Sequence, residues 1–189
     1  MKRIDKGQFE YIKNKKMQRA IVCAVCFLLV LAVFLTGYIS TGSRENILTV
    51  MAILGVLPAA KFAATLCMML PYHSQTREEY DTVAELAGEA ILYVDMLLST
   101  EKKILPTDFV AIRGGTVCGL ATAPKYDTAF AQDYIAAMLK KNGIKANVKI
   151  FTDRGKFLKR VKELAAFEVD EKQSVRDERT AALMLTLVL

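Results

Sequence analysis

Lys61 poses the sharpest chemical question in this sequence, because it is the one charge in the otherwise apolar run Ile47 to Leu70. An ammonium placed in hydrocarbon calls for a cavity, a partner subunit or an intramembrane acid. Neither apolar run of the chain holds an acid. In the same run Gly55, Ala59 and Ala63 recur every four residues, a stripe of small side chains that lets another helix backbone approach closely. At about 100° per residue, Lys61 lies about 200° round the helix from Ala59, so the lysine and the stripe must serve different contacts. Lys61, Gly55, Ala59 and Ala63 are therefore the candidate contacts with a membrane partner, either another protein or a second copy of the chain.

The remaining reactive residue types read more plainly. Cys23 and Cys26 have C-x-x-C spacing but sit in an apolar run with no further ligands. With Cys67 and Cys118 they make four scattered thiols that fit neither a disulfide framework nor a zinc site. His73, the only histidine, has no nucleophile or ligand set near it in sequence and reads as interfacial. Asp95, within an apolar stretch, reads as a strand aspartate reaching solvent or a lysine. Arg113-Gly114-Gly115 lacks the Gly-Lys-Ser/Thr ending that gives a phosphate loop its lysine and hydroxyl. Lys140, Lys141, Lys145, Lys149, Lys156, Lys159, Arg160 and Lys162 make the second half basic. Residues 77–189 as a whole are neutral and their aromatics are spaced as core, which favours a solvated helix face over a nucleic-acid surface. No catalytic residue, metal site or cofactor motif stands out, and the reading leans away from an enzyme.

Position along the chain follows from the apolar runs. Ala20 to Ile39 carries no charge over 20 residues, which at about 1.5 Å per helical residue matches a hydrocarbon core of roughly 30 Å. It outruns the ~7–15 apolar residues of a signal peptide, and a second run follows at once. That second run, Ile47 to Leu70, makes a return crossing, although Pro58 leaves open whether it crosses straight or bends into the interface. Lys2, Arg3, Lys6, Lys13, Lys15, Lys16 and Arg19 precede the first run, against only Arg44 with Glu45 between the two. Basic residues flanking spans mark the cytoplasmic side, so both termini are expected in the cytoplasm of an integral cell-membrane protein. The chain has 26 basic and 20 acidic residues and a net charge of +6. The excess resides in the N-terminal arm and Lys61, which suits anionic lipid of the inner leaflet and gives no strong nucleic-acid signal. The expected layout is a basic arm at 1–19, transmembrane helices at 20–39 and 47–70 around an external loop at 40–46, and one cytoplasmic α/β domain at 77–189.

Within that domain, Thr76-Arg-Glu-Glu79 has the form of a capping box and opens a helix that ends near Gly88. Ala90 to Leu98 keeps a helical spacing but is also a compact apolar run. Gly88 and the polar turn after Ser99 favour a strand. Asp108–Ile112 and Thr116–Thr122 flank Gly114-Gly115, the two residues of a hairpin turn of the primed type. A helix capped by Asp127 or Thr128 runs to Asn142, a strand occupies Asn147–Thr152, and Asp153 caps a helix to Phe167. Glu168–Arg179 reads as a charged connection to a terminal helix over Ala181–Leu189. The fold class expected is a membrane α-helical hairpin plus a small α/β domain of αβββαβ(αα) order with a mixed sheet.

That order, with Gly88-Glu89 ending the first helix and Asp108 opening a hairpin strand, resembles the restriction-endonuclease-like core, including its nuclease-related domain branch. The resemblance covers about 80 residues, at the level of element order. It implies an acid on the second strand and a Glu-x-Lys or Asp-x-Lys on the third, where carboxylates hold a divalent ion and lysine steadies the attacking water. Asp108 matches the first position. The third strand, Val117-Cys-Gly-Leu-Ala-Thr122, has neither carboxylate nor lysine, Lys125 lies beyond its end, and Gln132 does not restore the pattern. The layout as a whole is similar to small two-span membrane proteins of bacteria whose function is uncharacterised. Two functions are thus expected to compete: a membrane-anchored, non-catalytic binding or regulatory protein, and a metal-dependent, membrane-tethered nuclease with Asp108 as a metal ligand.

Overall fold

The structure is a computed structural model and describes residues 6–43, 45–100 and 103–188. Lys2, Arg3 and Arg44, which carry part of the charge reading, lie outside the described residues. The chain divides into two compact units, Ile12–His73 and the combination of Met1–Tyr11 with Ser74–Leu189.

The first unit is built from helix α1, Tyr11–Thr41, and helix α2, Ile47–Met69, both long and apolar enough to cross a membrane. The second half of the 1–19 arm forms the first turns of α1. Asn46 caps α2, its side chain accepting the Thr49 N–H at 2.9 Å. α2 runs without interruption through Pro58. The helices approach where side chains are small. A Cβ on Gly37 would stand 2.7 Å from the Leu48 Cβ, and one on Gly55 would stand 3.1 Å from Val30. Lys16 donates to the backbone carbonyls of Leu70 and Tyr72, groups left without helical partners past the end of α2.

The second unit has the order helix α3 (Arg77–Ala87), strands β1 (Ile91–Ser99), β2 (Ile104–Arg113) and β3 (Thr116–Leu120), helix α4 (Thr128–Lys141), strand β4 (Asn147–Phe151), and helices α5 (Arg154–Ala165) and α6 (Glu171–Thr186). The sheet order is β1-β2-β3-β4, an antiparallel meander closed by a parallel β3–β4 pair. α4 makes the crossover that the parallel pair requires. The helix starts follow local chemistry: the Thr76/Glu79 capping box for α3, and Asp127, Asp153 and Asp170 for α4, α5 and α6. Gly114 and Gly115 have φ of +58° and +70°, as a primed hairpin turn requires. One sheet face carries Val94, Phe109, Ala111, Cys118 and Leu120 against Val83 and Ala87 of α3 and Phe157, Val161 and Leu164 of α5. By strand alternation Val110, Ile112 and Val117 point the other way, where α4 packs on β4 and α6 on β1 and β2.

Two expectations need correction. β2 begins at Ile104 rather than Asp108, although it contains Pro106. Pro106 pairs only with Leu97, and the β2–β3 ladder starts at Phe109, so at that end β2 is an edge strand where a missing N–H is harmless. The supposed charged connection is largely helix, since α6 starts at Glu171. Its buried face is Asp177, Thr180, Ala181 and Met184, a helical spacing concealed by two polar members.

Asp177 explains its own burial. Its two carboxylate oxygens accept the backbone N–H groups of Gly114 at 2.7 Å and Gly115 at 2.9 Å, clamping the β2–β3 turn onto α6. Asp177→Ala should leave both donors without that acceptor and lower unfolding free energy by about 1–3 kcal/mol. Thermal melts of the full chain in detergent measure the loss. Hydrogen exchange should rise at Gly114 and Gly115 first, and unchanged exchange there would show that the clamp is unimportant.

Candidate functional site

Strand β1 contains a backbone break of its own. Asp95 has φ of +55°, a region that aspartate and asparagine enter more readily than other side chains bearing a Cβ. The β1–β2 ladder pairs Val94 with Phe109 and Met96 with Thr107, which sets Asp95 opposite Asp108. Asp95 is 1% exposed. Its Oδ1 accepts the Gln75 N–H at 3.0 Å, while its Oδ2 is buried with no hydrogen-bond partner. The Gln75 side chain then donates to Asp108 Oδ1 at 2.8 Å, and Asp108 Oδ2 takes both the N–H and the hydroxyl of Thr122 at 2.7 Å.

The groups around Asp95 come from distant parts of the chain. Ser74 and Gln75 follow α2, and Glu10 immediately precedes α1; their hydroxyl or backbone N–H groups favour the charged form of the carboxyl. The arm is held beside them. The Gly7 carbonyl accepts the Val94 N–H at 2.9 Å, the Lys6 ammonium reaches the Val188 carbonyl, and the Phe9 ring lies tilted 5.1 Å from that of Tyr80 with the Arg77 guanidinium over both rings. One buried carboxyl thus gathers the chain segments that enter and leave the Ile12–His73 unit.

Burial pushes the Asp95 carboxyl up, against the bonds from Ser74, Gln75 and Glu10, and the Asp108 charge adds to the rise, to about 6. Asp108 is raised in the same direction, chiefly by burial, with Thr122 opposing and the Glu79 charge adding. Glu79 goes the other way: the upward push of burial is outweighed by bonds from Thr76 and by Arg154, paired with it at 2.6 Å. Burial also pushes the Cys118 thiol up to about 12, so it is protonated and unreactive at neutral pH.

The residues singled out in the sequence fall in different places. Asp108 joins the acid pair. Gly55 lies against Val30 of α1, Ala59 is buried, Ala63 is half-buried, and Lys61 is exposed on α2. No acid pairs with Lys61 among the described residues. Cys23 and Cys26 are half-buried on α1, Cys67 and His73 are exposed, and the Gln132 side chain accepts the Ile150 N–H on the outer edge of β4. No group of three or more His, Cys, Asp or Glu residues among the described residues is placed to hold a metal ion. Asp95 is the residue that sequence reasoning undervalued. An aspartate interrupting an apolar strand was the available signal, and the structure buries it instead of leading it to solvent. The chain matches no family model, no curated protein and no solved structure.

Because its pKa is raised, folded Asp95 holds its proton more tightly than the unfolded chain does. Its stabilising contribution is full below the ordinary value of 3.8, declines as pH rises, and is gone above about 6. Asp95→Asn keeps the shape and the tolerance for positive φ but cannot ionise. The variant should gain on the wild type between pH 4 and pH 7 by up to ~3 kcal/mol. Melting curves across that range check this, and parallel pH profiles for the two proteins would refute it.

Proposed function

We propose that the chain is a membrane-anchored, non-catalytic binding or regulatory protein, integral to the cell membrane with both termini cytoplasmic. The observation that carries the anchor is the surface of α1 and α2. Leu28 (65% exposed), Ile39 (79%), Ile53 (64%) and Leu57 (68%) present bare hydrocarbon that water would disfavour and lipid would accept. The basic residues of the arm suit an anionic inner leaflet. Lys61, exposed on α2, is where a membrane protein partner or a second copy would supply the missing counter-charge. Lys61→Leu should reduce copurification of the partner, or the proportion of oligomer, and lower the abundance of the protein in membranes. Unchanged assembly and abundance would remove this reading, as would release of the wild-type chain from membranes by alkaline carbonate.

The second reading, a nuclease of restriction-endonuclease-like descent, draws on the αβββαβ order and on Asp108 lying on β2 opposite Asp95. Against it, β3 carries neither carboxylate nor lysine, and both Asp108 oxygens already accept hydrogen bonds. Calorimetric titration of the full chain in detergent with Mg²⁺ and Mn²⁺, together with cleavage assays on single- and double-stranded DNA, should be silent. Metal binding that Asp108→Asn abolishes, accompanied by cleavage, would establish the nuclease instead.

A further inference from the structure

We propose that the cleft between the loop after α4 and helix α6 binds a phosphorylated small molecule of about nucleotide size. The cleft is a consequence of the fold: the loop after α4, at residues 142–145, faces α6 beside Gly115 of the β2–β3 turn. The space between them has a volume of about 640 Å³, within the ~300–1,000 Å³ range of small-molecule sites.

Its chemistry is one-sided. Arg176 and Arg179 come from α6 and Lys145 from the loop after α4, and no acidic residue lines the cleft. None of these three cations has an ion pair among the described residues. Of the acids adjacent along α6, Asp177 is spent on the Gly114 and Gly115 N–H groups and the Gln173 side chain, and Glu178 does not line the cleft. That clamp also fixes the rotation of α6, which brings Arg176, Arg179, Thr180 and Leu183 to the cleft at three- and four-residue spacing. Two guanidinium forks and an ammonium suit the multiple charge and oxygen geometry of a phosphate. Leu183 and Ile144 supply apolar wall for the body of the ligand.

Both a free nucleotide and a lipid headgroup carry this chemistry. The site belongs to the α/β unit, so the inference does not depend on the role assigned to Lys61.

The test uses the full chain in nanodiscs of zwitterionic lipid, titrated with the fluorescent nucleotide trinitrophenyl-ATP. Saturable binding is expected, weakened about tenfold or more by the double variant Arg176→Gln/Arg179→Gln, the range for losing charge-assisted phosphate contacts. Lys159→Gln, an exposed lysine of α5 outside the cleft, should leave binding within about twofold of wild type. Both cleft arginines are exposed, and unchanged melting of the double variant separates lost binding from lost fold. Displacement by ATP identifies a soluble nucleotide-like ligand. Displacement by dihexanoyl phosphatidic acid but not by ATP identifies a lipid headgroup, and either result supports the site. No saturable binding to the wild type, a double variant that binds as tightly, or equal weakening by Lys159→Gln would overturn it.

Discussion

The burial of Asp95 is the constraint around which the α/β unit closes. A carboxyl removed from water must find donors or keep its proton, and here the donors come from Gln75, Ser74 and Glu10, far apart in sequence. The β1–β2 register sets Asp95 opposite Asp108, and Gln75 bonds both acids. The cost is visible in Oδ2, which is buried without a partner, and in the raised affinity for a proton. A carboxyl near its titration point makes the junction responsive to local pH and to any charge brought close to it.

The same device recurs without strain at the other end of the unit. Asp177 is as buried as a core residue, but both its oxygens are satisfied, and it ties α6 to the β2–β3 turn. Between these two carboxylates the sheet is sealed at its edges. Gly7 and Leu187 take N–H groups on the free side of β1, and the Gln132 side chain takes the Ile150 N–H of β4. An edge covered in this way does not offer a template for strand addition. Binding to this unit is therefore directed to side-chain surfaces and clefts.

Features fixed by local chemistry were legible in the sequence. Thr76/Glu79, Asp127, Asp153 and Gly114-Gly115 each act within a few residues, and each cap or turn is where its residue types place it. The apolar lengths of α1 and α2 were legible for the same reason. What was not legible is non-local. Nothing in Gly7 or Glu10 announces that the arm will join β1, since that contact closes a loop of more than 80 residues. α6 was hidden because Asp177 and Thr180 interrupt its apolar period, and their burial makes sense only once the glycine turn lies beneath them. Asp95 was misjudged by the rule that a strand aspartate reaches solvent. The rule presumes strand geometry at a residue whose φ is +55°.

The acid pair also bears on what the nuclease-like order of elements can mean. Metal-assisted hydrolysis needs carboxylate oxygens free to face an ion, and a basic group to steady the water. Asp108 spends its oxygens on Thr122 and Gln75, Asp95 is closed off from solvent, and β3 brings a glycine and a buried thiol where the ligand and lysine would stand. Two carboxyls with raised proton affinity would in turn pair well with a cation, yet neither has an ion pair among the described residues, and Arg154 is committed to Glu79. The charges at this end of the sheet are arranged to be neutralised by protons and backbone donors. That arrangement suits a junction that holds chain segments together better than it suits a centre for water activation.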